Sequence, residues 1–147
     1  MLILSFNIRG FGGASKLLAL KNLLFSINHD VVFIQETMVD HTQAKYFFLK
    51  IYPSWNCAAT DAVGLSGGLL SGWNPRVGCF EAFNLVLGIF LEGRFLNLPN
   101  PMKLLKFYGT YKDKLPFWNL AKESGCLKEE ALIFGGYLNF TLSTREI

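Results

Sequence analysis

Charge is the scarcest property of this chain. Asp, Glu, Lys and Arg together make up only 17% of its residues, against roughly 25% in ordinary soluble domains. The basic residues are scattered and no run of like charge occurs. That excludes a polybasic arm or an acidic tail as the seat of function. The net charge of +3 is mild: it suits an anionic partner without naming one. Cysteine is scarce too. Cys57, Cys79 and Cys126 are odd in number and no two stand at metal-ligand spacing, which excludes a disulfide framework or a zinc ribbon and leaves reduced, buried thiols of an intracellular protein as the expectation. No apolar run is long enough to cross a bilayer. The apolar start, Met1 to Ile8, carries Asn7 and then Arg9, with no basic segment ahead of it and no small-residue cleavage site after it. Neither a signal peptide nor a membrane partner is expected.

What the chain has in quantity is apolar surface. Hydrophobic residues are 51% of its 147, and fourteen are Phe. Such a chain buries a core and is not intrinsically disordered. The length fits a single domain. No internal repeat, linker or low-complexity tract interrupts it.

The patterning alternates strand and helix. Leu2 to Ile8 reads as a buried strand, and Arg9-Gly10-Phe11-Gly12-Gly13 as a glycine-rich loop. Ser15 is placed to cap a helix in which Leu17, Leu20, Leu24 and Ile27 recur at helical spacing. Val31 to Ile34 is a continuous apolar run, the mark of a strand covered on both faces. A second helix is expected over Gln43 to Lys50. Strands are expected near Trp55 to Ala59, Leu69 to Trp73, Val77 to Phe83, Leu85 to Leu91 and Leu104 to Tyr108, with a turn region at Ala62 to Gly68. A helix over Lys112 to Glu123 and a strand at Leu132 to Phe134 complete the reading. The order implies a layered α/β fold.

Polar groups at strand ends are the candidates for chemistry. Glu36 follows the apolar run of residues 31–34, where a carboxylate is costly to bury unless it is paired or binds a metal. A single carboxylate completed by waters and a phosphate is a magnesium site. From spacing alone the blander reading, a surface glutamate just past a strand, outweighs it. Asn7 and Asn139 also end strands, and a turn asparagine is common. The loop Gly10 to Gly13 has backbone N–H groups that could cradle phosphate, but it matches no P-loop or dinucleotide fingerprint. His29 and His41 are read as surface residues with no nucleophile or ligand set beside them.

Taken in order, these segments resemble one family. Leu4-Ser5-Phe6-Asn7-Ile8-Arg9-Gly10, Phe33-Ile34-Gln35-Glu36-Thr37, Ser66-Gly67-Gly68-Leu69-Leu70-Ser71-Gly72-Trp73, Tyr108-Gly109-Thr110-Tyr111 and Gly135-Gly136-Tyr137-Leu138-Asn139-Phe140 are similar to the endonuclease/exonuclease/phosphatase superfamily. The nearest flavour is the endonuclease domain of plant non-LTR retrotransposons. Phe117-Trp118 and the segment Thr141 to Glu146 are similar as well.

The resemblance implies a sandwich of two mixed β-sheets flanked by helices. It implies magnesium on Glu36 and Asn7, Tyr108 against a scissile phosphate, Asn139 orienting nucleophile and phosphate oxygens, and DNA as partner, with a nuclear location. Arg9, Lys16 and Arg76 are the expected nucleic-acid contacts. The sequence also departs from the family. Tyr137 stands where an aspartate is expected, and a C-terminal Ser-Asp-His motif is absent. Phe6 replaces a Trp, and residues 83 to 106 match poorly. The expectation is therefore that residues 1–147 form the N-terminal portion of a single such domain, truncated and catalytically inactive. A sheet face left uncovered by the truncation is expected to drive self-association. Two alternatives stay open: a phosphatase of small phosphate esters on the same fold, and a non-catalytic nucleic-acid-binding module.

Overall fold

The computed structural model describes residues 1–63, 66–109, 114–125, 128 and 131–137. Strand and helix alternate at first: β1 (Ile3–Asn7), α1 (Ala14–Ser26), β2 (Val31–Gln35) and α2 (His41–Ile51). A run of strands follows: β3 (Asn56–Val63), β4 (Ser66–Trp73), β5 (Gly78–Leu85), β6 (Gly88–Phe95) and β7 (Met102–Tyr108). Then come α3 (Lys114–Glu123) and β8 (Leu132–Tyr137).

The strands form two four-stranded sheets, ordered β1-β2-β4-β3 and β5-β6-β7-β8. Each sheet is mixed: β1 runs parallel to β2 and β7 parallel to β8, while the other neighbours are antiparallel. The parallel pairs are the ones joined through α1 and α3, because a parallel return needs a crossover that a hairpin cannot supply.

Period-two alternation sorts the side chains. Val31, Phe33, Ala58, Leu69 and Trp73 of the first sheet pack on Phe80, Ile89, Leu91, Phe95 and Leu104 of the second, and this is the inter-sheet core. The outer face of the first sheet, with Val32, Ile34 and Leu70, lies under Leu20 and Leu24 of α1 and Ala44 and Phe48 of α2. All of β2 is buried, as its continuous apolar run requires when both faces are covered. On the second sheet, Leu105 and Phe107 meet Phe117 and Ala121 of α3.

Two local features fix α2. Asp40 caps α2 by accepting from the Gln43 backbone N–H at 2.9 Å. Gly72 lets α2 approach closely, since a Cβ at that position would overlap the Phe48 ring.

Several expectations need correction. Ser15 lies inside α1 and does not cap it: the N-cap is Gly13, and no side chain supplies the hydrogen bond. The inner face of the first sheet is not left uncovered. Residues 78–108, much of which matched the family poorly, fold into three adjacent strands of the second sheet and close over it. Among the described residues the edge strands are β1 and β3 of the first sheet and β5 and β8 of the second. The strands β3 and β4 run well into the expected turn region of residues 62–68. Cys79 is exposed and Cys57 only partly buried. The start of the third helix at Lys112, the thiol of Cys126, and the segment from Thr141 to Glu146 lie outside the described residues.

Candidate functional site

The site lies where β1 and β2 end side by side and the second sheet closes over them. Register places Asn7 opposite Gln35. The chain then turns sharply at Glu36, which adopts a φ of 53°, and again at Met38 with a φ of 55°. Left-handed backbone at a non-glycine residue costs on the order of 1–3 kcal/mol and persists only where its surroundings over-determine it. Here they do. The Glu36 carbonyl accepts from the Gly10 N–H at 2.6 Å and the Thr37 carbonyl from the Phe11 N–H at 2.9 Å. From the other side, the Thr37 and Met38 N–H groups donate to the carbonyls of Gly68 and Gly67, each at 3.2 Å. The turn is thus stitched to both neighbouring segments.

This stitching overturns one expectation. The N–H groups of Gly10 and Phe11 are spent on the turn after β2, so they do not point outward to cradle a phosphate. The glycine at position 10 is needed for another reason: its φ is 94°, and a Cβ there would meet Met38 Sδ at 3.2 Å.

The strained turn aims the Glu36 side chain between the sheets. It is 6% exposed, and its Oε1 accepts from the Tyr108 hydroxyl at 2.9 Å. That bond joins the last residue of β7 to the first residue after β2, seventy-two positions apart in sequence. Beside it, the Gln35 Nε2 donates to Ser5 Oγ at 3.0 Å. Asn7 lies at the same level on β1. Its Oδ1 accepts from the Arg9 N–H at 2.9 Å, the turn role its position suggested. Arg9 itself is exposed with a φ of 51°, and Lys16 reaches back from α1 to donate to its carbonyl at 2.8 Å. Tyr137 pairs with Tyr108 across β7 and β8, with ring centroids 6.4 Å apart.

Asn7, Glu36, Tyr108, Tyr137, Arg9 and Lys16 are therefore gathered at one end of the fold. Arg76 is not. It sits in the turn after β4, where the Asn74 N–H donates to the Asp30 carbonyl at the start of β2, so it occupies the opposite end of the first sheet. Asn139 lies outside the described residues.

Lys106, and the pairing of the exposed His41 with Asp61, escaped the reading of the sequence. Lys106 is fully buried on the inner face of β7, and its Nζ has no hydrogen-bond partner among the described residues. It stands 5.7 Å from the centre of the Phe33 ring, and burial pushes its ammonium down to about 6. The only available signal was a lone lysine inside the run Leu104-Leu105-Lys106-Phe107. The His41 Nδ1 lies 2.6 Å from Asp61 Oδ1. Asp61 also accepts from the His41 N–H at 2.7 Å. That backbone hydrogen bond first, and the imidazole second, hold the Asp61 carboxyl below its ordinary range. The pair is exposed and pins the end of β3 to the start of α2. His29, expected at the surface, is 5% exposed. Its Nδ1 lies 2.7 Å from the Ile27 carbonyl and its ring packs on Tyr52 and Trp55.

The donor set at Glu36 and Asn7 consists of hard oxygens. It suits a cation such as Mg²⁺, which binds through one or two carboxylates and keeps several waters. Among the described residues no three His, Cys, Asp or Glu side chains gather as a cluster of metal ligands, so any cation here would rest on that single carboxylate. Among the described residues no helix is long and apolar enough to cross a membrane.

No family model matches the sequence, and no curated protein does. Solved structures do match. D. rerio TDP2 complexed with a single-strand DNA product superposes with a TM-score of 0.69 at 18% identity, over 95% of this chain and 60% of that one. The catalytic domain of human Nocturnin gives a TM-score of 0.69 at 10% identity, over 95% and 64%. The endonuclease domain of TRAS1, a telomere-specific non-LTR retrotransposon, gives 0.61 at 15% identity, over 95% and 61%. The chain thus spans about three fifths of the length of these structures. At such identities the likeness concerns architecture: two mixed sheets face to face with flanking helices, the endonuclease/exonuclease/phosphatase fold.

Proposed function

We propose that residues 1–147 are the N-terminal portion of a nucleic-acid-binding domain descended from a retrotransposon endonuclease, in which phosphodiester hydrolysis has been lost. The observation that carries the reading is the Glu36–Tyr108 hydrogen bond at 2.9 Å. It brings together, from separate sheets, two residues to which the family resemblance gives metal and phosphate roles. The TRAS1 endonuclease domain among the structural neighbours supports the retroelement branch.

In this reading Glu36 and Asn7 would hold a magnesium ion, which would supply positive charge to a bound phosphate. The Tyr108 hydroxyl fixes the Glu36 carboxylate and faces the phosphate site. Arg9 and Lys16 attract the nucleic-acid backbone. Tyr137 is what disables hydrolysis. A phenol offers no carboxylate to orient or deprotonate water, and loss of general acid–base help costs about 10²–10⁴-fold in rate.

The test is plasmid nicking with magnesium, with an EDTA control and the Glu36→Ala variant alongside. The expected result from a folded sample is no nicking above the EDTA control. Nicking that requires both the metal and Glu36 would overturn the inactive reading and make the chain an endonuclease.

A further inference from the structure

Tyr137 enters the reading above only through the carboxylate it displaces. Its placement gives it a role of its own. A Cβ at Gly135 would meet the Phe33 ring at 3.3 Å and Ser5 Oγ at 3.9 Å, so that position of β8 faces the first sheet. Two residues on, Tyr137 faces the same way but stands at the rim, level with Tyr108. The two rings are tilted by 50° at 6.4 Å. The strand beneath is held, since the Tyr137 carbonyl accepts from the Gly109 N–H at 2.8 Å. Even so, Tyr137 is 45% exposed. It is an anchored aromatic ring half open to solvent, at the end of the fold that also carries exposed Arg9 and Lys16.

We propose that Tyr137 is a base-stacking shelf and that the ligand class of this site is single-stranded nucleic acid, its phosphates tracked by Arg9 and Lys16. The proposal rests on the nucleic-acid-binding reading. An unpaired base offers a free π-face to such a ring, whereas a duplex keeps its faces stacked internally. Cations supply the sequence-independent attraction to phosphate. A tyrosine in place of an aspartate also removes a negative charge that would repel that phosphate, so one substitution both disables hydrolysis and favours binding.

The test is fluorescence anisotropy at low salt with a labelled oligothymidylate of about 12 nucleotides, an abasic oligomer of the same length and a hairpin duplex. Circular dichroism melts verify the folding of each variant. The expected result is that the folded protein prefers oligothymidylate over the abasic oligomer by about tenfold, as one stacked base allows. Tyr137→Ala erases that preference, Tyr137→Phe keeps it, and Arg9→Ala weakens binding of both oligomers alike. Equal affinity of the unmodified protein for thymidylate and abasic oligomers overturns the shelf while the nucleic-acid reading stands. So does a Tyr137→Ala variant that binds like the parent, or a Tyr137→Phe variant as weak as the alanine one. Tighter binding of the hairpin than of oligothymidylate overturns the single-strand assignment. No binding of any probe overturns the nucleic-acid reading itself, and the shelf with it.

Discussion

Replacing Lys106 by Met should stabilise the protein, and by an amount that depends on pH. Lys106 is fully buried and its Nζ has no hydrogen-bond partner among the described residues. Phe33 faces it from β2, while Ile89 of β6 and Gly135 of β8 are its neighbours in register. Ser5 and Ser71 pair with Phe33 in the facing sheet and are uncharged. The next residue on the same face of β7 is Tyr108, which binds Glu36. With no partner to offset it, burial lowers the lysine from 10.5 to about 6. Between those values the unfolded chain binds a proton that the folded one does not. Stability therefore rises with pH across that window, by about 1.4 kcal/mol per unit for this group, and levels off below about 6, where both states are protonated. The full displacement amounts to about 6 kcal/mol, of which roughly 5 kcal/mol applies at pH 7. Methionine fills similar space with no charge to desolvate. Urea unfolding of both proteins from pH 6.5 to 9.5 should show Lys106→Met the more stable at the acid end, its advantage shrinking by about 4 kcal/mol over the series. A difference that does not change with pH would refute the reasoning, because it would mean that Lys106 keeps its proton in the folded state.

Two further predictions concern the scaffold of the site. Tyr108→Phe removes the hydroxyl that reaches Glu36; leaving that buried carboxylate with one donor fewer should cost about 1–3 kcal/mol, read as a lower urea midpoint with an unchanged m-value. A loss below about 0.5 kcal/mol would argue that the bond contributes little. Gly72→Val drives a side chain into the Phe48 ring and should cost about 1–3 kcal/mol through overpacking. Combining it with Phe48→Leu should give less than the sum of the two losses, and strict additivity would speak against the contact.

Much of this architecture was legible in the residues. Val31 to Ile34 announced a doubly covered strand because a strand buried on both faces has no polar positions to alternate. Leu17, Leu20 and Leu24 announced α1 through their period. Where the reading failed, the deciding contacts were distant in sequence. Ser15 looked like a cap because capping was judged from the neighbouring residues alone, and the chain entered the helix two residues earlier, at Gly13. His29 looked exposed because nothing in Asn28-His29-Asp30 reveals that Tyr52 and Trp55 pack on it. The N–H groups of Gly10 and Phe11 looked free to bind phosphate because their real partners, the carbonyls of Glu36 and Thr37, are more than twenty residues away.

The sequence by itself determined most of the strands and helices, that β2 is covered on both faces, and that Asn7, Glu36 and Tyr108 stand at strand ends. Those properties follow from local periodicity and from where apolar runs stop. Only the tertiary structure decided that residues 78–108 cover the first sheet, that the Tyr108 hydroxyl meets the Glu36 carboxylate across the gap, and that Arg76 is carried to the far end. It also decided that Lys106 is sealed between the sheets. A local pattern says which way a side chain points from its own strand. It does not say what the facing sheet places opposite, and the burial and partners of a charged group depend on that.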